Sequence, residues 1–172
     1  MRDRFGAEVM WLAFDLHPEY PPEGIPRAEL TARYGEAVHD RMRDRFAQEG
    51  LVYNPPPHVV PNTRLAQQLT ELARERGLGQ EMHDRLMDAY WAEAVDIGDA
   101  DELRRLAAEV GIEDPETAWE SPIYLERALA SSAQAHSIGV SGVPGFVLDR
   151  RLLVLGAQPR EVFEQAFASL EE

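Results

Sequence analysis

The segment from Val140 to Gly156 constrains the fold of this chain more than any other. It reads VSGVPGFVLDRRLLVLG, two short apolar runs that meet at Asp149-Arg150. Strand-length apolar runs joined at a polar pair predict a β-hairpin. A closing helix is predicted next, with Pro159 in its first turn. Its apolar stripe consists of Val162, Phe163, Ala166, Phe167 and Leu170.

A second strand is predicted near the amino terminus. Residues 9–14 form the continuous apolar run VMWLAF, which ends at Asp15 and a Pro-rich stretch from Pro18 to Pro26. Such a run is typical of a strand that is covered on both faces. Its length would also suit a helix, but the Pro boundary favours an interior strand.

Between these parts the spacing is helical. One amphipathic helix is predicted from Pro26 to Gly50, and the Pro-rich residues 53–58 then enforce an extended connection. The next helix starts at Asn62 or Thr63 and is stopped by Gly77 and Gly79, and another follows it. Two more are predicted, one from Asp99 or Asp101 to Gly111 and a longer one from near Pro122 to Ser137. The predicted stripe of the first helix is Leu30, Tyr34, Val38, Met42 and Phe46.

Charge and composition argue against several classes of partner. The chain has 17 Lys plus Arg against 31 Asp plus Glu, a formal net charge of −14, which repels phosphate backbones and anionic membranes. No apolar run approaches the roughly 20 residues that span a bilayer, and no signal-like region opens the sequence, so we expect a cytoplasmic location. The five His residues lack zinc-site spacing, and no metal site is predicted.

Four stretches of the sequence carry a family resemblance. They are residues 62–66 (NTRLA), 86–99 (LMDAYW running on to DIGD), 139–147 (GVSGVPGFV) and 154–159 (VLGAQP). Together they resemble the DsbA-like thioredoxin-fold proteins, and within them the FrnE-like group, which is related to the 2-hydroxychromene-2-carboxylate isomerases. The resemblance implies an α/β, thioredoxin-like fold with a large all-helical insertion. It also implies a thioredoxin-like part formed by residues 1–22 and 138–172, with the helical insertion at 23–137.

The same resemblance indicates a binding site. In the family the bond before the proline that Pro144 matches is cis, which implies a cis bond at Val143-Pro144. The backbone N–H and C=O of Val143 would then meet an extended peptide or thiol substrate by strand addition. From the residues alone an equally good interpretation remains, in which Pro144 simply starts a strand where its missing N–H does no harm.

The sequence contains no cysteine. Proteins of this family begin with a strand that leads into Cys-x-x-Cys at a helix start, where the helix dipole favours the thiolate. The resemblance therefore implies that the first strand, the motif and the first helix are missing here. Three explanations are open: a start codon assigned too late, which we favour, an engineered truncation, or a natural variant that pairs with another chain.

The function implied is protein dithiol–disulfide exchange by a DsbA/FrnE-family oxidoreductase. We expect this chain to be inactive without redox cysteines, and we predict no catalytic residue in it. Two alternatives stay open: a glutathione-dependent isomerase of the 2-hydroxychromene-2-carboxylate type, and a non-catalytic thioredoxin-fold binding module. No cofactor is predicted apart from glutathione under the first alternative. A homodimer is also left open, because exposed apolar sheet edges promote association.

Overall fold

The computed structural model describes residues 2–35, 37–54 and 57–170. Within them the helices are α1 (Arg2–Phe5), α2 (Arg27–Tyr34), α3 (Ala37–Gln48), α4 (Arg64–Glu75), α5 (Gly79–Trp91), α6 (Ala100–Val110), α7 (Thr117–Glu120), α8 (Pro122–Ser137) and α9 (Arg160–Ala168). The strands are β1 (Ile25–Pro26), β2 (Val59–Val60), β3 (Gly145–Leu148) and β4 (Leu152–Leu155). β1 pairs antiparallel with β2, and β3 pairs antiparallel with β4.

The larger hydrophobic core lies among α4, α5, α6, α7 and α8. Its most deeply buried large side chains come from α4, α5 and α6, where the apolar positions recur at helical spacing. These side chains are Leu69, Leu72, Met82, Leu103 and Leu106. The apolar positions that recur at helical spacing in these three helices therefore form the core.

Local signals explain where these helices begin and end. Asp99 caps α6, because its side chain accepts hydrogen bonds from the backbone N–H groups of Asp101 (2.8 Å) and Glu102 (3.1 Å). Gly111 follows α6 with φ 86°, the left-handed conformation that ends helices. α8 has the predicted bounds. One prediction is wrong: Gly79 begins α5, whereas Gly77, with φ 77°, follows the end of α4.

The single helix predicted from Pro26 to Gly50 is two helices, α2 and α3. Gly35 separates them with φ 79°, a conformation that glycine adopts without the strain a side chain would impose. Pro26 itself belongs to β1. The side chains of Tyr34 and Val38 lie outside the described residues, as do Pro55 and Pro56 of the predicted connector.

The strand predicted at residues 9–14 is not formed in the structure. No described strand lies beside this segment to complete a ladder of backbone hydrogen bonds. Side chains of α8 bind its backbone instead: Ser131 Oγ donates to the carbonyl of Ala13 at 2.7 Å, and Ser132 Oγ accepts from the N–H of Asp15 at 2.9 Å. The segment is therefore held against α8 and is not part of a sheet.

The carboxyl-terminal hairpin and helix form a second, smaller core. Leu148, Val154 and Phe163 are buried together, and Phe5 of α1 packs against this cluster. The hairpin turns at Asp149 and Arg150, as predicted, and both residues have positive φ. The two cores share no member, although the division into residues 1–22 plus 138–172 and 23–137 remains a prediction. No helix in the described part of the chain is long and apolar enough to cross a membrane.

Candidate functional site

The candidate site is the loop that leads into β3. The Val143-Pro144 peptide bond is cis in the structure, as the family resemblance implied. The side chain of Val143 is 57% exposed at this point. The two residues predicted to bind substrate therefore lie together on the surface at the start of the hairpin.

The backbone of this loop is only partly used in hydrogen bonding. The carbonyl of Pro144 accepts from the N–H of Gly156 at 2.8 Å, which ties the loop to the end of β4. Among the described residues, no hydrogen bond uses the N–H or the C=O of Val143. One donor and one acceptor are thus available to an added chain.

Packing beneath the loop holds its position. Val140, 7% exposed, lies under β3, and a Cβ added to Gly145 would come within 3.1 Å of Val140 Cγ1. Further along β3, Phe146 meets Phe163 of α9 edge to face, with ring centroids 4.9 Å apart. The loop is therefore anchored by apolar contacts from both neighbouring segments.

The loop is also connected to the helical block. His136 lies in the last turn of α8 and contacts Phe14, with ring centroids 4.9 Å apart. Residues 138–142 then lead directly from α8 into the candidate site. The segment at residues 9–14, α8 and the loop are thus linked through one aromatic contact and a short connection.

Two anchors of residues 9–15 were not predicted from the sequence. One is the pair of serines on α8; the other is Trp11, which stacks on His83 at 3.7 Å and donates from Nε1 to Gln80 Oε1 at 3.0 Å. Burial lowers the pKa of His83. The only sequence signal for the serines is their polarity within a helix otherwise rich in apolar residues.

The site offers binding groups but no thiol. The sequence has no cysteine, and no group of three or more His, Asp or Glu side chains among the described residues is arranged to hold a metal ion. A disulfide can be attacked only by a thiolate supplied from elsewhere. What the loop itself provides is a backbone donor, a backbone acceptor and an exposed apolar side chain.

Comparison with known proteins assigns the chain to a family. The sequence matches the DSBA-like thioredoxin domain over residues 1–168. The chain belongs to this family. The DSBA-like assignment confirms the resemblance stated from the sequence, whereas the narrower FrnE-like group remains a prediction.

Two relatives of this DSBA-like chain are informative. The uncharacterized protein YwbO of Bacillus subtilis (strain 168) is 29% identical over 165 residues, which cover 94% of this chain and 81% of YwbO. The crystal structure of SCO1869, a probable DsbA oxidoreductase of Streptomyces coelicolor, superposes with a TM-score of 0.87 at 32% identity. The match covers 97% of this chain and 76% of SCO1869. The predicted fold class, α/β and thioredoxin-like, is confirmed by this likeness.

Proposed function

We propose that this chain supplies the substrate-binding part of a DsbA-family thiol–disulfide oxidoreductase. In this proposal the Val143 loop holds an extended segment of the substrate protein by strand addition. The observation that carries the proposal is the Val143 backbone, whose donor and acceptor take part in no described hydrogen bond. The family membership and the likeness to SCO1869 support an oxidoreductase context.

The thiols of the exchange must come from outside these 172 residues, because none of them is cysteine. Disulfide exchange proceeds by attack of a thiolate on a disulfide sulfur, which releases the other sulfur as a thiolate. This chain would contribute to that reaction by holding the polypeptide beside the reacting sulfurs. We therefore expect the isolated chain to bind peptide and to leave the rate of insulin reduction by dithiothreitol unchanged.

A titration followed by NMR tests the binding step. The probe is an N-acetylated, C-amidated peptide of alternating Val and Thr with a Lys at each end, added to the uniformly 15N-labelled chain. We expect the amide signal of Val143 to shift, because a new hydrogen bond changes the environment of that N–H. If this amide is insensitive to saturating peptide, the proposal is wrong.

A matched pair of peptides distinguishes recognition of the peptide backbone from non-specific binding. N-methylation at the residue whose N–H faces the Val143 carbonyl should weaken binding. The expected loss of binding free energy is that of one hydrogen bond, about 1 kcal/mol. N-methylation at the next residue, whose N–H points the other way in an extended chain, should be tolerated. Equal losses for both peptides would contradict strand addition at this loop.

The second candidate function is a non-catalytic binding module, favoured by the cysteine count of zero. It would show the same peptide binding without any partner that supplies thiols. Reduced glutathione in the same titration tests the isomerase alternative. A shift at the Val143 amide with glutathione but not with the peptide would favour that alternative over the proposed function.

A further inference from the structure

We propose that two copies of this chain form a symmetric dimer in which α3 of each copy packs along α5 of the other. The surface involved contains neither Val143 nor Pro144 and is therefore separate from the loop of the proposed function. Within the described residues, two surfaces match: an apolar row flanked by unpaired arginines on α3, and an apolar row flanked by unpaired aspartates on α5. The partner of each surface is the other surface, on a second copy.

α3 carries an apolar row that the rest of the chain contacts at one end. Met42 and Phe46 lie four residues apart and therefore share one face of this helix. Phe46 meets the ring of Trp91, with centroids 5.5 Å apart, but none of the other described helices and strands packs along α3. Directly after α3, Leu51 and Val52 are 59% and 64% exposed. This side of the molecule is therefore an apolar surface open to a partner.

Two arginines flank the α3 row. Arg41 and Arg45 directly precede the two apolar residues of the row, so they too lie four residues apart on one side of the helix. Both are exposed, and neither forms an ion pair in the described part of the chain. Arg43, on the opposite flank of the row, is instead bonded to Asp40 at 2.9 Å. Arg41 and Arg45 are thus available to carboxylates of another molecule.

α5 carries a second apolar row. His83, Met87 and Trp91 follow one another at intervals of four residues and share one face. Trp11 stacks on His83 at one end of the row, and Phe46 meets Trp91 at the other. Met87, between them, is 38% exposed. The centre of the α5 row is therefore the part that a partner can cover.

Two aspartates flank the α5 row. Asp84 and Asp88 lie four residues apart, each one residue beyond a member of the row, and both are exposed. Gln80 donates to both carboxylate oxygens of Asp84 at 2.8 Å, which leaves the charge of this carboxylate uncompensated. Neither aspartate has an ion-pair partner among the described residues. Arg85, the basic residue of α5, is bonded to two glutamates instead.

The two surfaces agree in charge and in spacing. Four residues of a helix rise about 6 Å, so the two arginines of α3 and the two aspartates of α5 are separated by the same distance along their helices. When the charged rows meet, Met42 packs beside Met87, as apolar positions do between charged flanks in paired helices. Within one chain these helices meet at their ends, through Phe46 and Trp91. A twofold axis supplies the contact along their length twice, because each copy contributes both surfaces.

Paired charge reversals test this dimer. One variant carries Arg41→Glu with Arg45→Glu, and the other carries Asp84→Arg with Asp88→Arg. All four side chains are exposed, so both variants should fold. In sedimentation equilibrium we expect the unmodified chain to dimerise. Each variant alone should have a dimer dissociation constant raised by about tenfold or more, because like charges then face each other in both contacts.

An equimolar mixture of the two variants should dimerise again. In the mixed dimer one contact pairs the new glutamates with the new arginines, and the other contact is the native one. Arg150→Glu with Arg160→Glu is the matched control, since it makes the same change of charge at two exposed arginines outside α3 and α5. This control should keep the dissociation constant of the unmodified chain.

Three results would overturn the inference. They are an unmodified chain that stays monomeric at the highest concentration, a dimer that both reversed variants leave unchanged, and a loss that mixing does not restore. If a reversed variant fails to fold, Met42→Cys and Met87→Cys serve instead, because the chain has no other cysteine. Oxidised glutathione should link these two variants to each other by a disulfide, with two thiols oxidised and the glutathione disulfide reduced. Equal linking of Met42→Cys to Ala133→Cys on α8 would contradict the contact.

Discussion

Glu71 offers the sharpest test of the helical core. Its side chain, on the buried face of α4, is 1% exposed and forms an ion pair with Arg74, whose own side chain is 35% exposed. Burial raises the pKa of Glu71, because desolvation of the carboxylate outweighs the attraction of Arg74 and Arg127. We expect Glu71→Gln, which keeps an oxygen for Arg74 and removes the buried charge, to stabilise the protein at pH 7.

The pH dependence follows from the direction of this pKa shift. The ordinary value of the carboxyl pKa is 4.5, and in the folded chain it lies higher. Between the two values the folded state binds more protons than the unfolded state, so stability falls as pH rises through that window. The gain from Glu71→Gln should therefore be fully present above the folded pKa and should disappear below about 4.5.

The expected magnitude is modest. Removal of one partner of a buried ion pair is costly when the other charge stays buried, but the side chain of Arg74 is 35% exposed and can turn toward solvent. The desolvated carboxylate therefore decides the sign, and we expect a gain of about 1 kcal/mol. A gain of about 1 kcal/mol corresponds to a rise in Tm of about 2–4 °C for a chain of this size. Thermal unfolding followed by circular dichroism at a series of pH values measures it.

Glu75→Gln is the control on the same helix, with the opposite sign. Arg127 and Tyr124 both donate hydrogen bonds to the Glu75 carboxylate, and these bonds lower its pKa. Its stabilising contribution is present above 4.5 and is lost on acidification, so this variant should lose stability at pH 7. If Glu71→Gln destabilises the protein at pH 7, or if its effect does not change with pH, the explanation by burial is refuted.

Three further predictions concern other parts of the chain. Ser132→Ala removes the acceptor of the Asp15 N–H, so we expect a loss of about 1 kcal/mol and faster hydrogen exchange at Asp15. Unchanged exchange at this amide would contradict the anchor, and Ser169→Ala, at the residue that follows α9, is the control. Gly24→Ala, at φ +75°, places a Cβ 2.5 Å from the carbonyl oxygen of Val60. It should destabilise the protein more than Gly35→Ala, where φ is +79° but the added Cβ has no heavy atom within 4 Å. Equal unfolding free energies of the two variants would rule out the steric cause. The pKa of His83 should lie below 6.5 in an NMR pH series, because burial disfavours the imidazolium. Trp11→Ala should raise this pKa by exposing the His83 ring. A midpoint that does not move in the variant would show that Trp11 does not cover His83.

Elements with strong local signals were predicted well from the sequence. α6 combines an Asp cap with a C-terminal Gly, α8 starts with a proline at its first position, and the hairpin turns at a polar pair. In each case the residue that fixes the boundary acts through its own backbone or a neighbouring N–H. Such boundaries depend little on distant packing, and the sequence alone therefore sufficed.

The errors arose where the outcome depends on more than local signals. The helix predicted from Pro26 to Gly50 satisfies the apolar period throughout, yet the chain breaks at Gly35, which costs little backbone strain in the left-handed region. At residues 9–14 the apolar run favours a strand, but a strand needs a neighbour to complete its hydrogen bonds. Neither the break nor the neighbour is encoded in the spacing of apolar residues.

The candidate site was predicted only in part. The family resemblance singled out Val143 and Pro144, and the structure brings them to the surface at the start of β3. The unused backbone groups of Val143 could not be predicted, because they depend on how the loop is held against the end of β4. The hydrogen bond from Gly156 N–H to Pro144 C=O, which sets this position, joins residues twelve apart in the sequence.

The helical block and the carboxyl-terminal hairpin differ in how their backbone hydrogen bonds are satisfied. Helices α4 to α8 satisfy most of theirs internally and bury a continuous core. The loop before β3 leaves the N–H and C=O of Val143 outside every described hydrogen bond, and Val143 is exposed. Unused backbone groups next to exposed apolar side chains are what an extended polypeptide can bind by strand addition. For this reason we propose recognition at the Val143 loop and a supporting role for the helical block, which anchors residues 13–15 through Ser131 and Ser132.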